Sequence, residues 1–440
     1  MFGAAVKRRP PAESLKAGQK GGPVNAIIRE HSNHILDEGD VLLADVAARI
    51  QLAPSDYATA EGRYHTLANW LDRDGGLLQG KVGLVYGQGG VATGSVVANR
   101  ASNDEYDVDA IVGLLLAPDT DPQLVLDVLF HSVRGERGSR YYDVTTRCTR
   151  CVQVSYADGM HVDLTPAVLL AGRPQRESII FHHRAETPEV PGRHVLANPF
   201  GFAEWFKANT PAEALFGIAF SDYQAMDRAL AKAQTEPLPE QIKPHETSRA
   251  LLSLQLTKRF RNLRYNDRNL RCPPSVVLSK LIAEHKVNRS GFGVALLSHV
   301  TYIRDEFQMA QGAGRLYYAA NPVCPADVLT DRWPGTLADQ GLWCRDLDHY
   351  VTQLTLYVLG APTLAQRQAI LADLFGEQAA RSAVLDFAQR MGQDKEAGRS
   401  RYSPGSGRLI VPATPAILAP TRGRTEPRTS YYGGETWWRG

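Results

Sequence analysis

Asp107 and Asp109 stand two residues apart in "EYDVDAIVGL", residues 105–114, where an apolar run begins. Side chains alternate across a strand, so both carboxylates share one face and Val108 takes the other. Two like charges side by side repel, and burial raises the cost. A divalent cation is the natural compensation. A third carboxylate, Asp163, lies in "CVQVSYADGMHVDLTPA", whose alternating halves flank the favoured turn pair Asp158-Gly159. Three carboxylates on one sheet can hold two Mg2+ ions. Such metals serve in-line displacement at phosphorus, one activating the attacking oxygen and one stabilising the leaving oxygen. Upstream, "YGQGGVATGSVV" supplies a glycine-rich turn whose backbone N–H groups can approach phosphate oxygens closely. The combination points to nucleotidyl transfer.

The elements that must carry these residues follow from the pattern. "DVLLADVAARIQL" predicts a helix over 40–52 with Asp40 as its cap. After Pro54, Tyr57, Ala60, Tyr64, Leu67 and Leu71 form one apolar stripe of a helix that "DGG" at 74–76 stops. Strands are expected at "KVGLVYG", at the Asp107 run and in a hairpin over 147–168, with a helix near 124–133. From about residue 200 the pattern is helical: "FAEWFKAN", "SDYQAMDRALAKAQ", "SRALLSLQLTKRFRNLRY", "PPSVVLSKLIAEH", "LADQGLWCRDLDHYVTQLTLYVLG" and two further segments to about 391. An α/β front half and a helical back half imply two lobes with a cleft between. Residues 1–25 and 395–440 read as flexible tails.

Bulk properties exclude several classes. A chain of 440 residues exceeds a single core. A net charge of +2 excludes a globally basic protein. No apolar run approaches the roughly 20 residues that span a bilayer, and the start lacks a secretory apolar segment. Five cysteines, an odd number, do not suggest a disulfide framework, and a reducing cytoplasm is expected. Cys148 and Cys151 form "CTRC" without the two further ligands of a zinc site, so they read as strand cysteines. His161 shares a face with Asp163 but is expected to pack. Trp205 and Phe206 are expected at the lobe junction, and His182 and His183, in a charged stretch, receive no role.

The ordered set of segments resembles the bacterial cGAS/DncV-like nucleotidyltransferases, or CD-NTases, of the DNA polymerase β-like superfamily. The matching pieces are "AEGRYHTLANWL", "YGQGGVATGSVV", "EYDVDAIVGL", "CVQVSYADGMHVDLTPA", "NPFGFAEWF", "LQLTKRFRN", "PPSVVLSKL" and "NPVCPADVLTDRW", over most of residues 55–345. The resemblance implies an α+β, bilobed fold. A mixed-sheet catalytic lobe with a spine helix would span 26–200 and a helical lobe 201–394, with the site in the cleft. It implies Asp107, Asp109 and Asp163 as catalytic metal ligands for two Mg2+, Mn2+ being an alternative. It aligns Lys258 and Ser275 with residues on the donor triphosphate. A helix start at Ser275 would favour an anion. The rest of the basic stretch "TKRFRNLRYNDRNLR" is expected to be mostly solvated, with Arg259 and Arg261 bracing the lobe or interacting with phosphate at longer range.

One position departs from the family pattern of Gln-Gly-Ser followed three residues later by Gly-Thr. Here the chain reads Gln88-Gly89-Gly90 and then Gly94-Ser95. Either Gly89-Gly90 grips phosphate through backbone N–H groups alone, or Gly94-Ser95 does so; the first register fits the following "VATGSVV" better. The implied activity is template-free joining of NTPs into a cyclic di- or trinucleotide second messenger of CBASS anti-phage defence. The alternatives are transfer to an RNA or protein acceptor, or an inactive nucleotide-binding regulator. Expected partners are NTPs, a downstream effector reached through the product, and a ubiquitin-like conjugation enzyme acting on Gly440. Neither a membrane nor nucleic acid is required.

Overall fold

The structure, a computed structural model, describes residues 38–52, 54–98, 106–213, 247–287 and 291–396, with three two-residue strands beyond them. The first part runs α1 (Glu38–Arg49), α2 (Pro54–Leu71), β1 (Val82–Gly87), α3 (Gly89–Thr93), β2 (Tyr106–Leu114), α4 (Pro122–Arg134), β3 (Thr145–Arg147), β4 (Val152–Ser155), β5 (Met160–Leu169), β6 (Ser178–His182) and β7 (Arg193–Ala197). The second runs α5 (Pro199–Asn209), α6 (Arg249–Tyr265), α7 (Ser275–Glu284), α8 (Phe292–Gly312), β8 (Ala320–Asn321), β9 (Cys324–Val328), α9 (Leu337–Leu359), α10 (Leu364–Phe375) and α11 (Glu377–Glu396).

Strands β1 to β7 form one mixed sheet in which β2 lies between β1 and β5, β5 also pairs β4, and β6 joins β5 to β7. Only β2 and β5 run parallel. A parallel pair needs a long crossover, here made by α4 and the β3–β4 hairpin. Asp121 starts α4 by accepting from Gln123 N at 2.8 Å, and Pro122 fills the first position, where no N–H is needed. The helix buries Val125, Leu126, Leu129 and Val133 against the face of β2 that carries Val108, Ala110 and Val112. Ala60, Leu67 and Leu71 of α2 join that core. The other face of β2 carries Asp107, Asp109 and Ile111, and Ile111 packs with Tyr86, Ala167, Ile180 and Ala197. Both faces of β2 are thus covered beyond the aspartates, which explains its continuous apolar run.

The helices of the second part pack around Phe260, which stacks on Tyr350 at 4.1 Å between ring centroids, with Trp343 and Phe375 alongside. Val41, Leu42, Leu43, Val46 and Ile50 of α1 belong to this core. The expected boundary at 26–200 therefore assigns α1 to the wrong core: its apolar side chains meet helices, not the sheet. Phe206 and Trp205 pack there too.

Other expectations are corrected. Helix α1 begins at Glu38, and Asp40 caps a different helix: its Oδ2 accepts from Phe292 N at 3.0 Å and its Oδ1 from Gly293 N at 2.6 Å. Helix α8 shows no clear stripe because most of its sides are buried, and its cap comes from far away in the chain. Cys148 and Cys151 lie in the turn between β3 and β4, where Cys148 N donates to Cys151 O at 2.9 Å; they are not strand residues. His182 ends β6 and is buried, as is His183. In the segment expected to be an unstructured tail, β10 (Arg401–Tyr402) pairs with β11 (Leu409–Ile410) and β12 (Arg424–Thr425). The N-terminal tail, the helix expected at 221–234 and Gly440 lie outside the described residues. Among the described residues, no helix is long and apolar enough to cross a membrane.

Candidate active site

The parallel register of β2 and β5 sets Asp109 opposite Asp163 and Asp107 opposite His161. Residues level with each other in a sheet point to the same side, so the three carboxylates converge. Gln153 of β4, opposite Asp163 on the other edge of β5, donates from Nε2 to Asp163 Oδ1 at 3.0 Å. The Cys151 side chain lies near enough to Asp163 to bear on its charge. His161 turns to Ser155 Oγ at 3.0 Å and does not line the cavity.

Burial, then the charges of Asp163 and Asp107, push Asp109 up to about 7 against the pull of Lys258. Burial and Asp107 raise Asp163 as well, while Gln153 and Cys151 oppose the shift. Among the described residues, no three such groups already stand in a ligating arrangement. An all-oxygen set whose members oppose one another's ionisation fits a hard divalent cation.

The glycine-rich turn is fastened to the same strand. Gln88 N donates to Asp109 O at 2.9 Å, and Gln88 Nε2 to Thr165 Oγ1 at 3.2 Å. Gly89 has φ +58°, and a Cβ there would lie 2.4 Å from Asp109 Oδ2, so only glycine lets the turn press against the carboxylate. Gly89 and Gly90 open α3, where N–H groups have no partner within the helix. The N–H groups of Gly94 and Ser95 are already spent on Val91 O and Gly90 O, at 3.3 and 2.8 Å. Ser95 Oγ lies 2.8 Å from Thr93 Oγ1.

The helical part closes the site. Lys258 on α6 is buried and donates from Nζ to Ser95 O at 2.6 Å. Burial, then Arg261, lowers its pKa to about 7, with Asp109 and Asp107 pulling the other way. Arg261 donates from Nη1 to Pro273 O at 2.9 Å and to Ser275 Oγ at 2.7 Å. Ser275 opens α7 directly after Pro274. Gln88, Gly89, Gly90, Ser95, Asp107, Asp109, Lys258 and Ser275 all border one cavity of about 600 Å³. Asp163 lies just off its lining, beside Asp109.

Arg259 and Arg261 are fixed in the helical part, as expected of residues that brace it. Both are buried, and Arg259 Nε donates to Phe375 O at 3.0 Å. Sequence reasoning missed the far rim of the cavity, where Arg150, Arg271, Asp327, Asp331 and Arg332 meet from three separate segments. No spacing in the sequence links them.

No family model matches the chain. A curated relative, the cyclic dinucleotide synthase CdnG of Bradyrhizobium diazoefficiens, is 34% identical over 388 residues, 87% of this chain and 91% of the relative. The chain belongs to the CD-NTase family. The structure of that CD-NTase in complex with GTP covers 80% of this chain and 100% of its own, with a TM-score of 0.67 and 30% identity. A c-di-GMP synthase of Roseivirga ehrenbergii is 22% identical over 296 residues, 66% of this chain and 72% of its own. Another solved structure, the CdnC:HORMA-deltaN complex of E. coli MS115-1, shares the fold at 16% identity and a TM-score of 0.50, covering 79% of this chain and 98% of its own. This CD-NTase thus has the α+β, polymerase β-like architecture, with its mixed sheet and helical part meeting at the cavity.

Proposed function

We propose that this CD-NTase joins nucleoside triphosphates, without a template, into a cyclic dinucleotide and releases pyrophosphate. The observation that carries this reading is the cavity itself. Two carboxylates of β2, in register with a third on β5, share it with a glycine-rich turn, a buried lysine and a helix start. The kinship to a cyclic dinucleotide synthase supports the same reaction.

The roles follow from the contacts. The free N–H groups of Gly89 and Gly90 bind donor phosphate oxygens, so the Gly89-Gly90 register is preferred. Lys258 carries positive charge to the same phosphates, held over the turn by Ser95 O. Ser275 and the start of α7 hold the outer phosphates, with Arg261 fixing the serine hydroxyl. Asp163, steadied by Gln153, orients the attacking ribose hydroxyl. Asp107, Asp109 and Asp163 would hold Mg2+, which would neutralise charge and make that hydroxyl more acidic. A second transfer in the same cleft closes the ring. The product would act on a downstream effector in anti-phage defence.

The test is incubation of the purified chain with four labelled NTPs and Mg2+ or Mn2+, followed by phosphatase. A phosphatase-resistant product that disappears in Asp107→Ala and Asp163→Ala, with melting curves preserved, is expected. Products only on addition of RNA would replace this reading with tailing.

A further inference from the structure

The turn between β3 and β4 carries two cysteines within reach of one another. Arg147 of β3 pairs with Val152 of β4, so Cys148 and Cys151 are the next residues opposite each other, and Cys148 N donates to Cys151 O at 2.9 Å. Opposed residues of an antiparallel pair stand about 4.5–5.5 Å apart at Cα, inside the roughly 4.4–6.8 Å that a disulfide spans. Their side chains leave the same face. Gln153, two residues beyond Cys151, takes that face too and reaches Asp163. Both sulfurs are therefore on the carboxylate side of the sheet. Both cysteines are free and partly exposed, whereas Cys324 and Cys344 are buried.

The same turn is tied to three other parts of the fold. Thr149 O accepts from His183 N at 3.0 Å, just beyond the end of β6. Arg150 lines the cavity and is ion-paired with Asp331, which follows β9 in the second part of the chain. Cys151 stands beside Asp163. A disulfide draws both sulfurs to bonding distance. Formed here, it takes the Cys151 sulfur away from Asp163 and tightens the turn that aims Arg150 across the cavity. The Cys151 side chain first, and Arg332 after it, lower the Cys148 pKa, with burial and Asp163 opposing them. A cation beside a sulfur favours the thiolate, which makes Cys148 the attacking group.

We propose that Cys148 and Cys151 are an oxidative modification site, closing to a disulfide that slows nucleotidyl transfer and reopening under thiols. The oxidant is a peroxide. The Cys148 sulfur attacks one peroxide oxygen, the O–O bond breaks, and water departs to leave a sulfenic acid. The Cys151 sulfur then attacks the Cys148 sulfur, the S–O bond breaks, and a second water departs. Two thiols lose two electrons and two protons, and hydrogen peroxide takes both to become two waters. A dithiol reverses the bond by exchange. Exposed disulfides are the labile kind, suited to switching rather than to holding a fold. The slowing rests on the synthase reading; the bond itself does not.

The test treats the full chain with hydrogen peroxide, desalts it and divides it. Trypsin cuts after Arg147 and Arg150, so the disulfide would join the peptide that begins at Cys148 to the one that begins at Cys151. The joined species should be two hydrogens lighter than the pair, and dithiothreitol should part it. Turnover should fall by about tenfold in the cross-linked chain, with melting preserved, and return on reduction. Cys148→Ser and Cys148→Ala should keep wild-type turnover before and after peroxide. Cys272→Ser, on the cavity wall, should lose turnover under peroxide as the wild type does. No cross-link in the folded chain would overturn the inference. So would a cross-link that leaves turnover unchanged, or a loss of turnover that persists in both Cys148 variants. Protection by Cys272→Ser alone would also overturn it and assign the sensitivity to Cys272. If the reduced chain forms no product at all, the synthase reading fails and the slowing falls with it, while the cross-link still decides the bond.

Discussion

Gly89 and Gly90 are adjacent, yet the structure predicts opposite responses to a side chain. In Gly89→Ala the residue must hold φ +58°, which costs an L-residue about 1–2 kcal/mol. Its Cβ would also lie 2.4 Å from Asp109 Oδ2 and 3.2 Å from Asp109 Cγ. Asp109 cannot retreat freely, because it sits in β2 between β1 and β5. Either the carboxylate swings or the turn lifts, and metal and phosphate lose their common frame. Misplacement by about 1 Å at a reacting centre can cost on the order of a hundredfold in rate. In Gly90→Ser the new Cβ meets Lys258 Nζ and Val96 Cγ2, each at 3.3 Å. That is tight by a few tenths of an ångström, and Nζ is the far end of a long side chain. The hydroxyl adds a hydrogen bond to phosphate worth about 0.5–1.5 kcal/mol, so the KM for NTP should fall by about two- to tenfold. Pyrophosphate release and thermal melting read both effects. Wild-type turnover in Gly89→Ala would refute the claim that the turn must touch Asp109. A raised KM in well-folded Gly90→Ser would refute the assignment of phosphate to that turn.

Three further outcomes are expected. Asp109→Asn removes one of three opposed carboxylates, so the metal-free chain should gain about 1 kcal/mol or more in urea unfolding at pH 8 while turnover is lost; an unchanged midpoint would contradict the mutual repulsion. Asp40→Ala deprives Phe292 N and Gly293 N of their cap and should cost about 1–3 kcal/mol of stability, with turnover per folded molecule retained; a stability change within error would show that α8 needs no such cap. Burial holds His299 and His182 neutral, each with its pKa lowered to about 3. A depressed folded pKa means stability present above the unfolded value and lost as pH falls below it. From pH 6.5 to 5.5 each imidazole should remove about 1 kcal/mol. Asp109, with its raised pKa, opposes this trend, so the slope is to be measured in the Asp109→Asn background; no slope there would mean the rings are not buried neutral.

The chemistry of this protein was legible because it is written in short local patterns. Alternation put Asp107 and Asp109 on one face, and the Asp158-Gly159 turn placed Asp163 on a strand returning along the same sheet. Length and the change from strand-like to helical periodicity implied two parts and a cleft. The glycines marked a close backbone approach, though not what they approach. Only the tertiary structure showed that Gly89 is packed on Asp109 and that Lys258 reaches Ser95 O from α6. Packing decided that α1 joins the helices and that Asp40 caps α8 rather than its own helix. It also chose the partners of Arg259 and Arg261, the carbonyls of Phe375 and Pro273. The rim of Arg150, Arg271 and Arg332 had no sequence signature, because its members come from three loops that meet only when both parts close on the cavity. Local spacing specifies which face a side chain takes, whereas a partner a hundred or more residues away is chosen by which surfaces bury one another.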